Sequence, residues 1–160
     1  MLNKYFKPQT SLWKVASRGL MTMRQNTQEV ELNAVKITSM HESSGLKTGN
    51  LFFLHGLLGK GQNWKSFALN DVLSDNRNMF LMDLRNHGES DHHASMEYKE
   101  LASDVLRYAD HNRIDKLSLI GHNIGAKLAM TLSCMHPDRV SSLICLDTAP
   151  LSFSHDQAVI

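Results

Sequence analysis

Gly121-His122-Asn123-Ile124-Gly125 lies where one apolar run, Lys116 to Ile120, gives way to another, Ile124 to Met135. Two glycines four residues apart at a strand-to-helix turn let the two backbones approach more closely than larger side chains allow. The middle residue is pushed up in front of the helix N-terminus, where the backbone dipole favours developing negative charge. That residue is Asn123, whose carboxamide has no hydroxyl to deprotonate and whose nitrogen is a poor nucleophile. Asn is also among the non-glycine residues that best tolerate positive φ, so it keeps such a turn while removing nucleophilic chemistry. Three other apolar runs end on unusual residues: Leu51–Leu54 on His55-Gly56, Asn78–Met82 on Asp83, and Val140–Leu146 on Asp147. Gly56 and Gly61 are followed by Gln62 rather than Lys, so they make no phosphate-binding P-loop, and no G-x-G-x-x-G follows any apolar run. His92-His93 are adjacent rather than a helical turn apart, and read as solvated rather than as a metal pair. Cys134 and Cys145 read as reduced core thiols, being too few for a disulfide framework or a cysteine-based zinc site.

The elements that hold these residues alternate strand and helix. Val30, Leu32, Val35 and Ile37 alternate with polar residues over 30–40, as in a half-buried strand pair at a sheet edge. His41 to Asn50 is a polar connection, and Leu51-Phe52-Phe53-Leu54 a buried strand. Trp64, Phe67, Ala68 and Val72 predict a helix over 62–73 packed on one face. A second strand covers 78–82. A helix from Ser95 to about His111 turns Leu101, Val105, Leu106 and Ala109 inward. A third strand covers 116–120, a strongly apolar helix 124–135 stops at His136-Pro137, and a fourth strand covers 140–146, interrupted by Ser141-Ser142. Continuous apolar strands separated by helices imply an α/β fold, a mostly parallel sheet covered by helices on both faces. In such sheets ligands gather at the carboxyl ends of the strands, where the residues above lie.

The chain has 160 residues, 42% apolar and 21% charged, which suits one globular domain rather than a disordered chain. The formal charge of +1 hides an asymmetry. Residues 1–28 hold five of the 17 basic residues (Lys4, Lys7, Lys14, Arg18 and Arg24) and none of the 16 acidic ones, a leader of +5 on a body of −4. Leu12, Ala16 and Leu20 share one helical face and Lys14 and Arg18 another, the pattern of a mitochondrial transit segment, with a basic tail or a surface-lying helix as the plainer readings. The expected location is the mitochondrial matrix, otherwise the cytoplasm, and 29–160 form the body. No run of apolar residues is long enough for an integral membrane segment. The short basic patch on an acidic body argues against nucleic acid.

Four segments, taken in order, resemble the alpha/beta-hydrolase family. Leu54-His55-Gly56-Leu57-Leu58-Gly59 is similar to its oxyanion loop. Asp83-Leu84-Arg85-Asn86-His87-Gly88-Glu89-Ser90 resembles a D-x-R-N-H-G-x-S segment of its esterase branch. Gly121 to Lys127 resembles the G-H-S-M-G-G-K nucleophile elbow, and Leu146 to Pro150 an I-D-x-[AS]-P segment. The resemblance implies a serine esterase or lipase-like acyl hydrolase acting on a small-molecule acyl ester, without a cofactor or metal. It also implies residue roles. The backbone N–H groups of Leu57 and Ile124 form the oxyanion hole, Asp147 is the acid that orients a catalytic histidine, and His55 and Gly56 shape the loop. Arg85, Asn86 and His87 brace the loop beside the pocket, and His122 packs locally.

The chain departs from that pattern. Asn123 stands where the family has its nucleophilic Ser, and Ala126 replaces the second elbow glycine. The family histidine follows the last strand, far beyond Asp147, whereas His155 is the only histidine after Asp147 and falls where a cap region begins. The expectation is an α/β-hydrolase domain ending before its closing strands and catalytically incomplete: a fragment, splice product or degenerate copy. The competing readings are an esterase completed from elsewhere or by other chemistry, such as hydrolysis of Asn123 to Asp, which the branched Ile124 slows, and a non-catalytic module that binds an acyl ligand or a protein. The strand at 140–146, unflanked by a later one, would leave an open sheet edge that favours self-association and poor solubility.

Overall fold

The computed structural model describes residues 29–38 and 49–150. The basic leader, most of the polar connection after residue 38, and His155 lie outside the described residues. Five strands form one sheet in the order β1-β3-β2-β4-β5: β1 (Ala34–Thr38), β2 (Gly49–Leu54), β3 (Arg77–Met82), β4 (Leu117–His122) and β5 (Val140–Leu146). All neighbours are parallel except β1, which runs antiparallel to β3 at one edge. The expected strand pair over 30–40 is, among the described residues, the single strand β1. Its approach segment, Glu31 to Asn33, is tied to the loop after β3 by Asp83 N–H donating to Asn33 O and Asp91 N–H to Glu31 O.

The strands form because their apolar residues have somewhere to go on both sides. Phe52 and Leu54 of β2 face one way with Phe80 and Met82 of β3, and Leu51 and Phe53 face the other with Met79 and Leu81. Phe52 and Phe80 are register partners and stack with ring centroids 4.7 Å apart, and Tyr108 meets both rings edge-on. Each such buried aromatic stabilises the fold by about 1.5–3 kcal/mol relative to its exposed state.

The two long helices share one face. The α3 helix (Tyr98–His111) buries Leu101, Val105 and Ala109, and α4 (Ile124–Met135) buries Leu128, Ala129 and Leu132 against the same cluster. The other face is covered more thinly, by a 3-10 turn (Gly61–Trp64) and two single-turn helices, α1 (Lys65–Ala68) and α2 (Asp71–Ser74), where one helix is expected from the sequence. None of these helices is long and apolar enough to cross a membrane.

The extents of α4 and β5 are those expected, and Ser141 is an extra residue in β5: Leu117 pairs with Val140 but Ser118 pairs with Ser142. At the β5 edge Leu143, Ile144 and Leu146 remain exposed among the described residues. Cys134 is exposed rather than in the core, because it lies on the side of α4 away from Leu132, and Cys145 is half-buried beside Ala126. His93, expected in solvent, is half-buried, with its N–H donating to Asn86 Oδ1 and its Nδ1 accepting from Ser95 N–H.

The strand order creates a crevice. From β2 the chain moves to β3 on one side, and it then returns across to β4 on the other, so the connections diverge between the carboxyl ends of β2 and β4. Open α/β sheets bind ligands at such a switch point.

Candidate functional site

The elbow is built from backbone proximity. Asn123 has φ 52° and ψ −115°, a combination that L-residues avoid and that normally suits the first corner of a type II′ turn. Its strain, about 1–3 kcal/mol, must be held in place by surrounding bonds. Asn123 N–H donates to Leu146 O at 3.0 Å, and Asn123 O accepts from Ala126 and Lys127 N–H at 3.1 and 3.2 Å. The two motif glycines let this happen. A Cβ on Gly125 would lie 2.3 Å from Leu54 O, and one on Gly121 would lie 2.4 Å from Gly125 O. Ala126 is fully buried at this junction, so its methyl is accommodated without displacing α4. The Asn123 side chain is exposed at the top of the turn.

Facing it is the loop after β2. A Cβ on Gly56 would lie 2.6 Å from His122 Nδ1 and 3.2 Å from Asn123 Cβ, so only glycine lets this loop touch the elbow. Gly59 N–H closes a turn onto Gly56 O at 3.0 Å, leaving Leu57 and Leu58 exposed at its tip. His55, Gly56, Leu57, Leu58, Gly59, Asn63, Trp64 and His122 line an open cleft of about 390 Å³. Ile124 follows the elbow as the first residue of α4. Asp147 directly follows β5 and is exposed, with Oδ2 3.4 Å from His122 Nε2. Thus the structure brings together His55, Gly56, Leu57, His122, Asn123, Ile124 and Asp147, and the partner near Asp147 is the elbow's own His122.

Arg85 and Asn86 are not on this cleft. Arg85 is buried and turns into α3: its Nε and Nη2 donate to Asp104 at 2.6 and 2.9 Å, and its Nη1 donates to Glu100 Oε2 at 2.9 Å and Ser95 O at 3.0 Å. The hydrogen bonds and charge of Asp104 hold the guanidinium above its ordinary pKa despite burial. Asn86 binds His93 through both ends of its carboxamide. These contacts brace the loop after β3 against α3 and against itself. His87 reaches further, to Leu58 of the cleft loop, where its Nε2 lies 3.3 Å from Leu58 N.

Sequence reasoning singled out Asp83 without a role and passed over Asn33 and Asp104. Asp83 is a structural hub: its carboxylate accepts from Gly61 N–H at 2.7 Å, Asn33 Nδ2 at 2.9 Å and Glu89 N–H at 3.0 Å. Burial pushes its pKa up, but those three donors outweigh it and hold the carboxyl below its ordinary value. A signal for Asp104 does exist, since an acidic residue three after Leu101 falls on the apolar stripe of α3 and needs a cation there. Among the described residues no group of three or more His, Cys, Asp or Glu side chains is placed to hold a metal.

His55 is held neutral. Burial lowers its pKa from 6.5, against an opposing contribution from the Gly56 carbonyl. Because the unfolded chain binds this proton more readily, stability is full above about pH 6.5 and falls as the pH drops below it. Urea midpoints measured from pH 7.5 to 5.5 should therefore decline, with a shallower decline in His55→Gln; parallel slopes in the two proteins would contradict this assignment.

The chain's similarities agree with this geometry. Residues 49–160 match the sequence profile of the alpha/beta hydrolase fold. The sn-1-specific diacylglycerol lipase ABHD11 of Danio rerio is 38% identical over 62% of this chain and 32% of its own length. Ethanol acetyltransferase 1 of Kluyveromyces marxianus is 31% identical over 66% of this chain and 29% of its own. A marine microorganism esterase superposes with a TM-score of 0.70 and 35% identity, covering 81% of this chain and 46% of that one. The chain thus spans less than half the length of these relatives. With the profile matched over most of its length, and with the strand order and elbow described above, the chain belongs to the alpha/beta hydrolase fold family.

Proposed function

We propose that the cleft between the ends of β2 and β4 holds the acyl group of a small-molecule ester or carboxylate, and that this chain does not turn it over. The observation that carries the reading is Asn123 itself, standing exposed in the φ 52° elbow with Gly56 against it. The acyl oxygen lies between the backbone N–H groups of Leu57 and Ile124, the second of them backed by the positive end of α4. Asn123 offers Nδ2 donors and an Oδ1 acceptor to the ligand, and it has no proton whose removal would create a nucleophile. Asp147 beside His122 supplies the negative side of the cleft. The names of the relatives, a lipase, an acetyltransferase and an esterase, support an acyl carbonyl as the shared feature of the ligands.

The 160-residue chain should hydrolyse p-nitrophenyl butyrate no faster than its Asn123→Ala variant. Any common acceleration should stay within the roughly 10³–10⁴-fold that binding and an oxyanion hole supply without a nucleophile. The same ester should bind saturably, read by quenching of Trp64 in the cleft wall. Turnover by the natural chain that Asn123→Ala abolishes overturns the proposal in favour of an active esterase. Absence of saturable binding overturns it in favour of a protein-interaction role.

A further inference from the structure

The loops after β2 and β3 hold each other through two histidines that exchange backbone partners. His55, on the first loop, accepts Leu84 N–H of the second at its Nε2 (3.0 Å). His87, on the second loop, accepts Leu58 N–H of the first at its Nε2 (3.3 Å). In both rings the other nitrogen faces a carbonyl oxygen: His55 Nδ1 lies 2.8 Å from Gly56 O and His87 Nδ1 2.9 Å from Arg85 O. A carbonyl only accepts, so each Nδ1 carries the proton and each Nε2 is the bare acceptor, which assigns both rings as neutral. The rings sit 4.9 Å apart.

The two histidines differ in access. His55 is buried, whereas His87 is half-buried beside Leu57 and Leu58 at the exposed tip of the turn. Leu58 is itself in a left-handed conformation, φ 59°, which a β-unbranched but bulky residue does not adopt without support. Its N–H bond to His87 is that support from the neighbouring loop. A proton on His87 Nε2 would set N–H against N–H and remove it.

The two buried charges nearest these rings are already engaged. The Asp83 carboxylate is engaged by Gly61, Asn33 and Glu89 N–H, and the Arg85 guanidinium by Asp104 and Glu100 of α3. His122 stands on the far side of Gly56 with Asp147.

We infer that His87 is the positioning residue of the acyl cleft: its neutral Nδ1–H form holds the Leu57–Leu58 turn in place, and protonation of the ring lets the turn go. This rests on the cleft being the acyl site, and it adds that binding is gated by acid through a residue that never touches the ligand.

The test reads the turn and the ligand separately. Amide hydrogen exchange at Leu58, corrected for its intrinsic pH dependence, should be about fivefold faster at pH 5.5 than at 7.5 in the natural chain, the size of effect expected from losing one hydrogen bond. His87→Gln keeps an acceptor that does not titrate, and should be slow at both pH values. His87→Phe should be fast at both, with far-UV circular dichroism confirming that both variants fold. Binding of p-nitrophenyl butyrate should follow the same order. Equal Leu58 exchange in the natural chain and His87→Phe, or pH-dependent exchange retained in His87→Gln, overturns the assignment of His87. Should Leu58 behave as expected while the ester binds at neither pH, the acyl reading of the cleft fails instead, and with it the gating of that ligand.

Discussion

Asp104→Ala lowers the unfolding free energy by about 3–5 kcal/mol, the range found when one partner of a buried ion pair is removed. Asp104 is 1% exposed and Arg85 5% exposed, so water does not replace the lost bonds. The carboxylate carries both fork bonds from Arg85 and a third from Arg107 Nη2 at 2.5 Å. The variant leaves two guanidinium nitrogens of Arg85, Nε and Nη2, without acceptors in the interior, while Nη1 keeps Glu100 Oε2 and Ser95 O. Asp104→Asn keeps one acceptor and should lose less. Replacing both partners by apolar residues, Arg85→Met with Asp104→Leu, should recover most of the loss, because the cost lies in the stranded charge rather than in a large net gain from the pair. Urea unfolding of the two single variants and the double variant measures this directly. A loss under about 1 kcal/mol for Asp104→Ala would place the pair in the solvent-screened class and contradict its burial. The damage should also reach the cleft, since Arg85 O is the carbonyl that orients His87.

How much of this was legible in the sequence depends on how far apart the interacting residues lie. The α4 helix and β5 were read to their observed ends, because Gly121 to Gly125, His136-Pro137 and Asp147 mark their boundaries locally. The segment over 62–73 misled. Trp64, Phe67 and Ala68 do pack towards Phe53 or its neighbours, but Val72 is 81% exposed. The reason is Asn70, whose Oδ1 accepts Val72 N–H at 3.1 Å and so starts a new helical turn in another direction. A helix period alone does not register an Asn placed to cap the next turn. The convergence of Gly56 on Asn123 was foreseeable only through the family resemblance, since 67 residues separate them in the chain. The Asp83 hub was not legible: its donors come from Asn33, Gly61 and Glu89, and no local pattern announces that a strand-end aspartate will gather three segments. The approach of His122 to Asp147 was not legible for a different reason. The resemblance pairs Asp147 with a distant histidine, and only the register that sets His122 opposite Leu146 shows that His122 also comes within 3.4 Å of it.

Gly125→Ala should cost about 3 kcal/mol or more, the upper end of what added methyl groups cost in packed interiors, because the methyl has only backbone to push against. Its Cβ would lie 2.3 Å from Leu54 O and 2.6 Å from His55 O, and neither carbonyl can turn away as a side-chain tip would. Relief requires α4 to lift off β2. Lifting α4 pulls on the Asn123 carbonyl through its bonds from Ala126 and Lys127, and so relaxes the φ 52° elbow that those bonds hold under strain. The same step removes the contact between the elbow and Gly56, so ester binding should fall along with stability. Gly49→Ala is the control: at the start of β2 an added Cβ meets nothing within 4 Å. There the restricted unfolded chain should leave stability unchanged or raised by about 0.4–1 kcal/mol. Thermal unfolding of the two variants separates close approach from generic glycine effects. If both were equally mild, the strand and helix would not lie as close as the elbow requires. The exposed placement of Asn123, on which the whole reading of the cleft depends, would then lose its structural basis.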